Sequence, residues 1–341
     1  MEPNNKKIFL TGGSGFLGKY LIEKFLGSGY HVRALSRSKE SSNIITEIGA
    51  EAVQCNLFDL EELSKAISGC EIVVHCAAKL ETNANSVGEL FRDNVEGSEN
   101  LYNQCKKEGS SVRVFIFISS EGVIMNGKDI TDADENIAIS DLKELGYYNQ
   151  SKAISEQYIL NQSKKSEVSK QMKSIIIRLP LVWGHGDNVL EYLCNLGNTL
   201  RWFWIGGGNN QLSICHAENA AHGILLAIEK AENSEIFFLT DGKSVQYRQF
   251  FTDRFIAKGV SKWKLHMSIP IWMAWITVFL MAIVWKLFKL RGLPLLTKTG
   301  LIYSSKNFTV SDEKARSLLN YQNVIDYKQG MKQIKDENIK K

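Results

Sequence analysis

Tyr148 and Lys152 form a pair of side chains whose types and spacing suit proton transfer. They stand four residues apart in the segment YNQSK, within a helical pattern, and therefore share one face of the predicted helix. An ammonium group beside a phenol favours the phenolate and lowers the tyrosine pKa, which fits the hydroxyl for proton exchange near neutral pH. Tyr147 lacks this partner, because the residue four positions further on is Ser151. The spacing singles out Tyr148 and Lys152 as candidate catalytic residues.

Two adjacent hydroxyl side chains, Ser119 and Ser120, end the apolar run VRVFIFISS. Such a run is typical of a buried parallel strand, and parallel sheets bind ligands at the carboxyl ends of their strands. A hydroxyl group at that end can orient a substrate carbonyl or alcohol by hydrogen bonding. This strand end and the YNQSK helix that follows it predict a site for chemistry at a carbon–oxygen bond.

The glycine-rich segment TGGSGFLG, residues 11–18, connects an apolar strand to a helical pattern. A helix N-terminus reached through glycines presents free N–H groups and the positive end of the helix dipole to a phosphate. Gly12 would allow the tight turn, Gly15 the approach of a pyrophosphate, and Gly18 the close packing of helix on strand. The spacing is GxxGxxG rather than GxGxxG, but the strand and helix around it predict a dinucleotide site.

A basic segment, SRSK at residues 36–39, follows the second predicted strand. Proteins that bind NAD usually place an acidic residue here for the ribose hydroxyls, whereas NADP requires positive charge for its 2′-phosphate. Arg37 can make a charge-assisted contact to that phosphate, and no acidic residue precedes it in the loop. We predict NADP(H) as the preferred cofactor, with NAD(H) as the alternative; a solvated basic turn is the competing interpretation of the same residues.

Short β-branched runs alternate with longer helical patterns through the first 180 residues. The alternation predicts an α/β fold, a Rossmann-type doubly wound parallel sheet with helices on both faces. We assign residues 1–180 to this nucleotide-binding domain, which carries the Ser, Tyr and Lys candidates, and residues 181–341 to a smaller C-terminal substrate lobe. The substrate is expected to bind between the two.

Composition limits the remaining classes of function. The chain has 341 residues, 44% of them hydrophobic, and a formal charge of +4 with scattered lysines, so nucleic acid is not an expected partner. Six cysteines without CxxC spacing and an N-terminus without an apolar leader predict a reducing, cytoplasmic location. No histidine or cysteine lies at metal-ligand spacing, so we predict no metal site.

The segment IPIWMAWITVFLMAIVW, residues 269–285, holds seventeen residues without a charge. Its length is marginal for crossing a bilayer, which takes about 20 apolar residues. Two interpretations remain: peripheral attachment to the cytoplasmic face of a membrane, or a buried helix that lines an apolar pocket. The first is favoured by tryptophan anchors and a basic cluster, namely Trp272, Trp275, Trp285, Lys286, Lys289 and Arg291.

Several motifs together resemble the extended short-chain dehydrogenases/reductases. They are TGGSGFLG, HCAA at 75–78, NVEG at 94–97, ISS at 118–120, YNQSK at 148–152, RLPLVWGHGD at 178–187 and CHAENAAHG at 215–223. The resemblance implies that Tyr148 is the general acid or base, that Lys152 lowers its pKa and holds the nicotinamide ribose, and that Ser120 binds the reacting oxygen. The cofactor contacts implied with them are Gly12, Gly15, Phe16, Leu17, Gly18, Arg37, Asn56, Leu57, Ala77, Ala78, Asn94, Pro180, Leu181 and Val182. A homodimer is a common assembly in the family.

Within that family, the C-terminal half resembles the 3β-hydroxysteroid and sterol dehydrogenase branch. The features are IP before a long apolar helix, then LPLLT and FTVSDEKA. The resemblance implies an enzyme that interconverts a ketone and a secondary alcohol on a hydrophobic small molecule, most simply a steroid or sterol. The alternatives are a long-chain 2-alkyl-3-oxo acid reductase, a nucleotide-sugar epimerase or dehydratase with bound NAD, and a nonenzymatic NADP-binding regulator.

Overall fold

The structure is a computed structural model that describes residues 6–165, 171–199, 202–288 and 297–340. Its strands are, in chain order, β1 (Lys7–Thr11), β2 (His31–Ser36), β3 (Glu51–Gln54), β4 (Ile72–His75), β5 (Val114–Ser120), β6 (Ile130–Ala133), β7 (Lys173–Leu179), β8 (Leu181–Trp183), β9 (Trp204–Ile205), β10 (Gln211–Leu212), β11 (Ile214–His216), β12 (Ile236–Phe238), β13 (Val245–Gln246), β14 (Ser268–Ile269) and β15 (Phe308–Val310).

The α-helices follow the same numbering. They are α1 (Phe16–Gly27), α2 (Lys39–Glu47), α3 (Leu60–Ile67), α4 (Val87–Phe91), α5 (Gly97–Cys105), α6 (Tyr147–Ser163), α7 (Asn188–Asn198), α8 (Ala217–Lys230), α9 (Tyr247–Ala257), α10 (Ile271–Phe288), α11 (Lys298–Ser305), α12 (Glu313–Leu319) and α13 (Tyr327–Lys340). A π-helical turn, Arg92–Glu96, joins α4 to α5, and a 3₁₀ turn, Glu121–Ile124, follows β5.

The central sheet has seven parallel strands in the order β12-β7-β5-β4-β1-β2-β3. Successive side chains of each strand face opposite sides, so Ile8 and Leu10 pack with α1 and α8 while Phe9 packs with α3 and α5. Both faces are therefore covered by helices, which explains why the strand sequences are almost continuously apolar. The predicted Rossmann-type doubly wound fold is confirmed.

The predicted boundary at residue 180 needs correction. The edge strand β12 belongs to the central sheet, where it pairs with β7, although it lies well beyond that boundary. Helices α8 and α12 also pack onto the sheet, through Ile224 and Leu319. The C-terminal half thus contributes alternately to the lobe and to the domain of the central sheet, where the short edge strand β12 satisfies backbone hydrogen bonds of β7.

The lobe lies beyond the carboxyl end of β7 and has a small sheet in the order β13-β10-β15-β6, with the pairs β11-β8 and β14-β9 beside it. Its core is aromatic: Trp204 and Phe255 are fully buried, and Trp183 packs edge-on against Phe250. Each large ring buries much apolar surface, so a few aromatic residues stabilise a small lobe.

Helix α10 contains most of the predicted apolar segment, and its side chains are largely exposed. The exposed fractions are 64% for Trp272, 66% for Phe279 and 72% for Leu287, whereas Ala274 is buried. The interpretation as a buried pocket-lining helix is therefore wrong for this helix. Within the described residues, no helix is long and apolar enough to cross a membrane. The Lys286 side chain, Lys289 and Arg291, predicted to contact headgroups, lie outside the described part of the structure.

Candidate active site

The glycine turn between β1 and α1 is shaped by close backbone contacts. Gly12 has a φ of +79°, and a Cβ atom there would lie 2.8 Å from the backbone nitrogen of Ala77. A Cβ atom on Gly18 would overlap the carbonyl oxygen of Gly12. Gly15 is less crowded, since its Cβ would come only as near as 3.2 Å to the same oxygen. Two of the three glycines are thus demanded by the turn itself, as the sequence pattern predicts.

The N-terminus of α1 is suited to a phosphate. Gly15 occupies the N-cap position, no side chain caps the helix, and its first turn has no acidic residue. The first N–H groups of a helix need acceptors, and a pyrophosphate supplies them. Phe16 and Leu17, the first residues of the helix, are half-buried beside this end. The residues present therefore fit the diphosphate part of a dinucleotide.

Arg37 follows β2 directly, at the same edge of the sheet as the glycine turn. Its side chain is 72% exposed, and its Nη1 lies 4.0 Å from Asp93 Oδ2. Asp93 in turn lies 2.6 Å from the ammonium of Lys79. Arg37 is thus available to a ligand, but it lies near the carboxylate of Asp93, which no local sequence pattern predicts.

Asn56 and Leu57, two of the cofactor contacts that the resemblance implies, follow β3. The Asn56 side-chain oxygen accepts a hydrogen bond from the Phe58 N–H at 3.1 Å, and the Leu57 carbonyl accepts one from Asn100. The guanidinium of Arg92 stacks over the Phe58 ring at 4.3 Å. Asn56 therefore shapes the turn with one lone pair of its amide oxygen, and the second lone pair is left for a ligand.

Ser119 and Ser120 have different surroundings. Ser119 is buried and donates a hydrogen bond to Glu156 at 2.6 Å, and Glu156 pairs with Arg178 in the core. Ser120 is half-buried, and its Oγ accepts the Gly122 N–H at 3.1 Å. A hydroxyl that accepts one bond still has its proton to donate, so Ser120 is the member of the pair equipped to bind an oxygen atom.

Tyr148 and Lys152 both lie on α6, near the end of β5. The Lys152 ammonium is buried, donates to the Ile118 carbonyl at 2.6 Å and lies 4.7 Å from the centre of the Phe117 ring. Burial lowers the pKa of Lys152 to about 8. Tyr148 is half-buried, and burial, with a smaller contribution from the Cys76 side chain, raises its pKa.

The expected lowering of the Tyr148 pKa by Lys152 is not present in the chain by itself, and the role of Lys152 stays a prediction. The shared helix face is present, but the Lys152 ammonium is held by the Ile118 carbonyl, and desolvation of the phenolate dominates at Tyr148. Burial thus favours the protonated form of Tyr148.

Asn94 supports the loop after β4 from the π-helical turn. Its side-chain oxygen accepts the Lys79 N–H at 2.7 Å, and its amide group donates to the Lys79 carbonyl at 2.9 Å and to Ser151 Oγ at 3.0 Å. It thereby ties this loop to α6, next to Tyr148. Single π turns inside helices occur frequently at functional sites. The resemblance identified Asn94 but gave no sign of the π turn.

The remaining predicted contacts lie at the same edge of the sheet. Ala77 packs against Gly12 and donates its N–H to Thr11 Oγ1 at 3.2 Å, while Ala78 is exposed. Ser120 pairs in register with Leu179, which places Pro180 directly beside the candidate serine. The residues that follow, Leu181 and Val182, are half-buried in β8. The structure thus brings the predicted residues together along the carboxyl ends of neighbouring strands.

Glu121 was missed by the sequence reasoning, although it follows Ser120. It is 2% exposed, and its Oε1 accepts the Tyr303 hydroxyl of α11 at 2.5 Å. Burial raises the pKa of Glu121 well above its usual range. Through this hydrogen bond the carboxyl joins the lobe to the end of β5. Its partner is distant in the chain, so no local pattern predicts the contact.

Comparison with known proteins agrees with this geometry. The family model of the 3-beta hydroxysteroid dehydrogenase/isomerase family matches residues 9–267. A sterol-4-alpha-carboxylate 3-dehydrogenase (decarboxylating) of Dictyostelium discoideum is 59% identical over 330 residues, which cover 96% of this chain and 100% of that protein. A 4-hydroxy-2-methyl-3-oxo-4-farnesyl-3,4-dihydroquinoline-1-oxide ketoreductase of Stigmatella aurantiaca is 28% identical, over 95% of this chain and 94% of its own length.

Among solved structures, a dTDP-glucose 4,6-dehydratase of Bacillus anthracis in complex with NAD superposes with a TM-score of 0.73. It is 16% identical and covers 98% of this chain and 97% of its own, so it supports the fold alone. The match of the family model over most of the chain, and the close relative over nearly all of it, confirm the resemblance drawn from the motifs. The chain belongs to the 3-beta hydroxysteroid dehydrogenase/isomerase family and is an NAD(P)-dependent dehydrogenase of the extended short-chain type.

Proposed function

We propose that the protein oxidises the 3-hydroxyl group of a sterol that carries a carboxyl group at C4, and that the product then loses carbon dioxide. The observation that carries the proposal is the 59% identity, over 96% of this chain, to a sterol-4-alpha-carboxylate 3-dehydrogenase. The exposed apolar surface of α10 beside the lobe also suits a sterol better than a sugar nucleotide.

Each of the three candidate side chains has a separate role in the reaction at the carbon–oxygen bond. Ser120 donates its hydroxyl proton to the substrate oxygen and fixes its position. Tyr148 takes the proton of the substrate hydroxyl as the C3 hydrogen leaves with its electron pair, or returns it in the reverse direction. A bound nicotinamide supplies the acceptor for that hydride. Burial raises the pKa of Tyr148, so the tyrosine acts as a base only when positive charge favours its phenolate. Lys152, on the same helix face, supplies that charge in the complex with the cofactor, when its ammonium turns from the Ile118 carbonyl towards the phenol.

Loss of carbon dioxide follows from the oxidised substrate. A ketone at C3 makes the C4 carboxylate a β-keto acid, whose carbon–carbon bond breaks with its electron pair delocalised onto the ketone oxygen. Ser120 and Tyr148, which bind that oxygen, stabilise the negative charge as it forms. A proton then replaces carbon dioxide at C4. The same two hydroxyl groups thus serve both steps.

We propose NADP(H) as the preferred dinucleotide, held by Arg37 at the adenosine 2′-phosphate. The support is the place of Arg37 directly after β2 and the exposure of its guanidinium. NAD(H) remains the alternative.

A panel of substrates tests the proposed reaction. A 4α-carboxysterol, the same sterol without its carboxyl group and a sugar nucleotide are each incubated with protein and NADP⁺. We expect reduced cofactor and a decarboxylated ketone from the carboxysterol. Reduced cofactor from none of them, with NAD already bound to the purified protein, would reject the proposal in favour of the epimerase class.

We also propose that α10 attaches the protein peripherally to a membrane surface. The helix exposes Trp272, Phe279 and Leu287, and interfacial tryptophans with a large apolar face are typical of helices that lie in the headgroup region.

We expect the protein to co-sediment with phosphatidylcholine/phosphatidylserine vesicles, and Phe279→Glu to release it. Charge on the embedded face costs free energy, because it must leave water. Tyr192→Glu is the matched control, since Tyr192 is an exposed aromatic residue on α7, at 56%. Wild-type protein that stays in the supernatant, or equal release by both variants, contradicts the attachment through α10.

A further inference from the structure

Four charged side chains meet beside the glycine turn. Lys79 Nζ lies 2.5 Å from Glu89 Oε1 and 2.6 Å from Asp93 Oδ2. The same oxygen of Asp93 lies 4.0 Å from Arg37 Nη1. Lys79 and Asp93 are 16% and 19% exposed, whereas Arg37 is 72% exposed. Asp93 is therefore a carboxylate held by Lys79 within reach of an exposed guanidinium.

The backbone gives this carboxylate its position. Asp93 lies in the π-helical turn Arg92–Glu96, next to Asn94. Asn94 holds the backbone of Lys79 through hydrogen bonds at 2.7 and 2.9 Å, and the Lys79 side chain holds Asp93. The side chains of two adjacent residues of the π turn, Asp93 and Asn94, therefore both contact Lys79 in the loop after β4. These contacts hold Asp93 near Arg37, the first residue after β2.

The four charged side chains of this cluster have no net charge. Arg37 and Lys79 contribute two positive charges, and Glu89 and Asp93 contribute two negative charges. A 2′-phosphate, with a charge of about −1.5 to −2, must draw the Arg37 guanidinium away from Asp93 before it can pair with it. A 2′-hydroxyl carries no charge and does not compete for the guanidinium. Two unit charges 4 Å apart change an equilibrium constant by about fivefold even at the dielectric constant of water.

We propose that Asp93 sets the cofactor selectivity of the protein, because its carboxylate competes with the adenosine 2′-phosphate for Arg37. The proposal rests on the nicotinamide-dependent activity proposed above and deepens it. Arg37 favours NADP(H), Asp93 moderates that preference, and the wild-type protein accepts NAD(H) as well. Lys79 and Asn94 are positioning residues that hold Asp93 in place.

Dissociation constants of NADPH and NADH, measured by calorimetric titration, test the proposal without turnover. We expect Asp93→Asn to tighten NADPH binding by about fivefold or more and to change NADH binding by less than about twofold. Raising the salt concentration shrinks the gain, since exposed charges are screened. Glu89→Gln is the matched control, because Glu89 binds the same lysine and has no contact with Arg37 in the described structure. We expect it to leave the ratio of the two constants unchanged.

A double-mutant cycle identifies the partner of Asp93. In an Arg37→Gln background, Asp93→Asn is expected to leave the ratio unchanged, because the competition requires the guanidinium. The proposal is overturned if Asp93→Asn does not alter the ratio, if Glu89→Gln alters it equally, or if the effect persists without Arg37. These results are separate from the choice of substrate: protein that shows the expected shifts but oxidises no sterol rejects only the proposed reaction.

Discussion

Tyr148→Phe is expected to lower kcat by roughly two to four orders of magnitude, because the variant has no hydroxyl group to exchange a proton with the substrate oxygen. Phenylalanine fills the same volume in the half-buried site, so the dissociation constant of the dinucleotide and the melting temperature are expected to change little. Steady-state kinetics of sterol oxidation and a thermal melt provide the measurements.

Tyr147→Phe is the matched control for this experiment. Tyr147 precedes Tyr148 on α6, but its side chain is 47% exposed. We expect this variant to turn over at the wild-type rate. Full turnover by Tyr148→Phe, or an equal loss in both variants, contradicts the role assigned to Tyr148.

Gly18→Ala is expected to disrupt the glycine turn and weaken dinucleotide binding by at least about tenfold. The added methyl group would overlap the carbonyl oxygen of Gly12, so α1 must move away from β1 and its first N–H groups lose their alignment. Overpacking of this kind costs about 1–3 kcal/mol of folding free energy. A thermal melt and a titration with NADPH measure the two effects.

Gly27→Ala offers the control in the same helix. Gly27 is the last residue of α1, and nothing lies within 4 Å of a Cβ atom placed there. Alanine favours the helix over glycine by up to about 1 kcal/mol, so this variant is expected to bind NADPH normally and to melt no lower than wild type. Gly18→Ala protein that melts and binds like wild type shows that the close contact is not required.

Local sequence patterns were sufficient to predict the central sheet and the glycine turn. The apolar strands face helices on both sides, and the period of two puts Ile8 and Phe9 in separate cores. The close contacts of Gly18 are with Gly12 and Gly13 of the same turn, so its role follows from short-range sequence, whereas Gly12 also contacts Ala77 in a distant segment. The roles of Ser120, Tyr148 and Lys152 stay predictions, but the structure places all three around the end of β5.

Local sequence patterns could not predict contacts between segments that are distant in the chain. Strand β12 has three residues and joins the sheet only through its pairing with β7. No local pattern marks so short a strand, so the domain boundary that the sequence predicts at residue 180 lies too early in the chain. The Lys152 ammonium has the Ile118 carbonyl as its partner, and neither spacing nor helix face reveals that bond. Asp93 lies in a π turn and comes within 4.0 Å of Arg37, and no local pattern marks either the turn or the contact.

The most direct test of the central claim follows the hydrogen at C3. A 4α-carboxysterol with deuterium at that carbon is incubated with the protein and NADP⁺, and the released cofactor and sterol are analysed by mass spectrometry. The account predicts one deuterium on the nicotinamide ring of the released NADPH and a ketone without its carboxyl group. Deuterium that remains on the sterol in the presence of active, folded protein would contradict it.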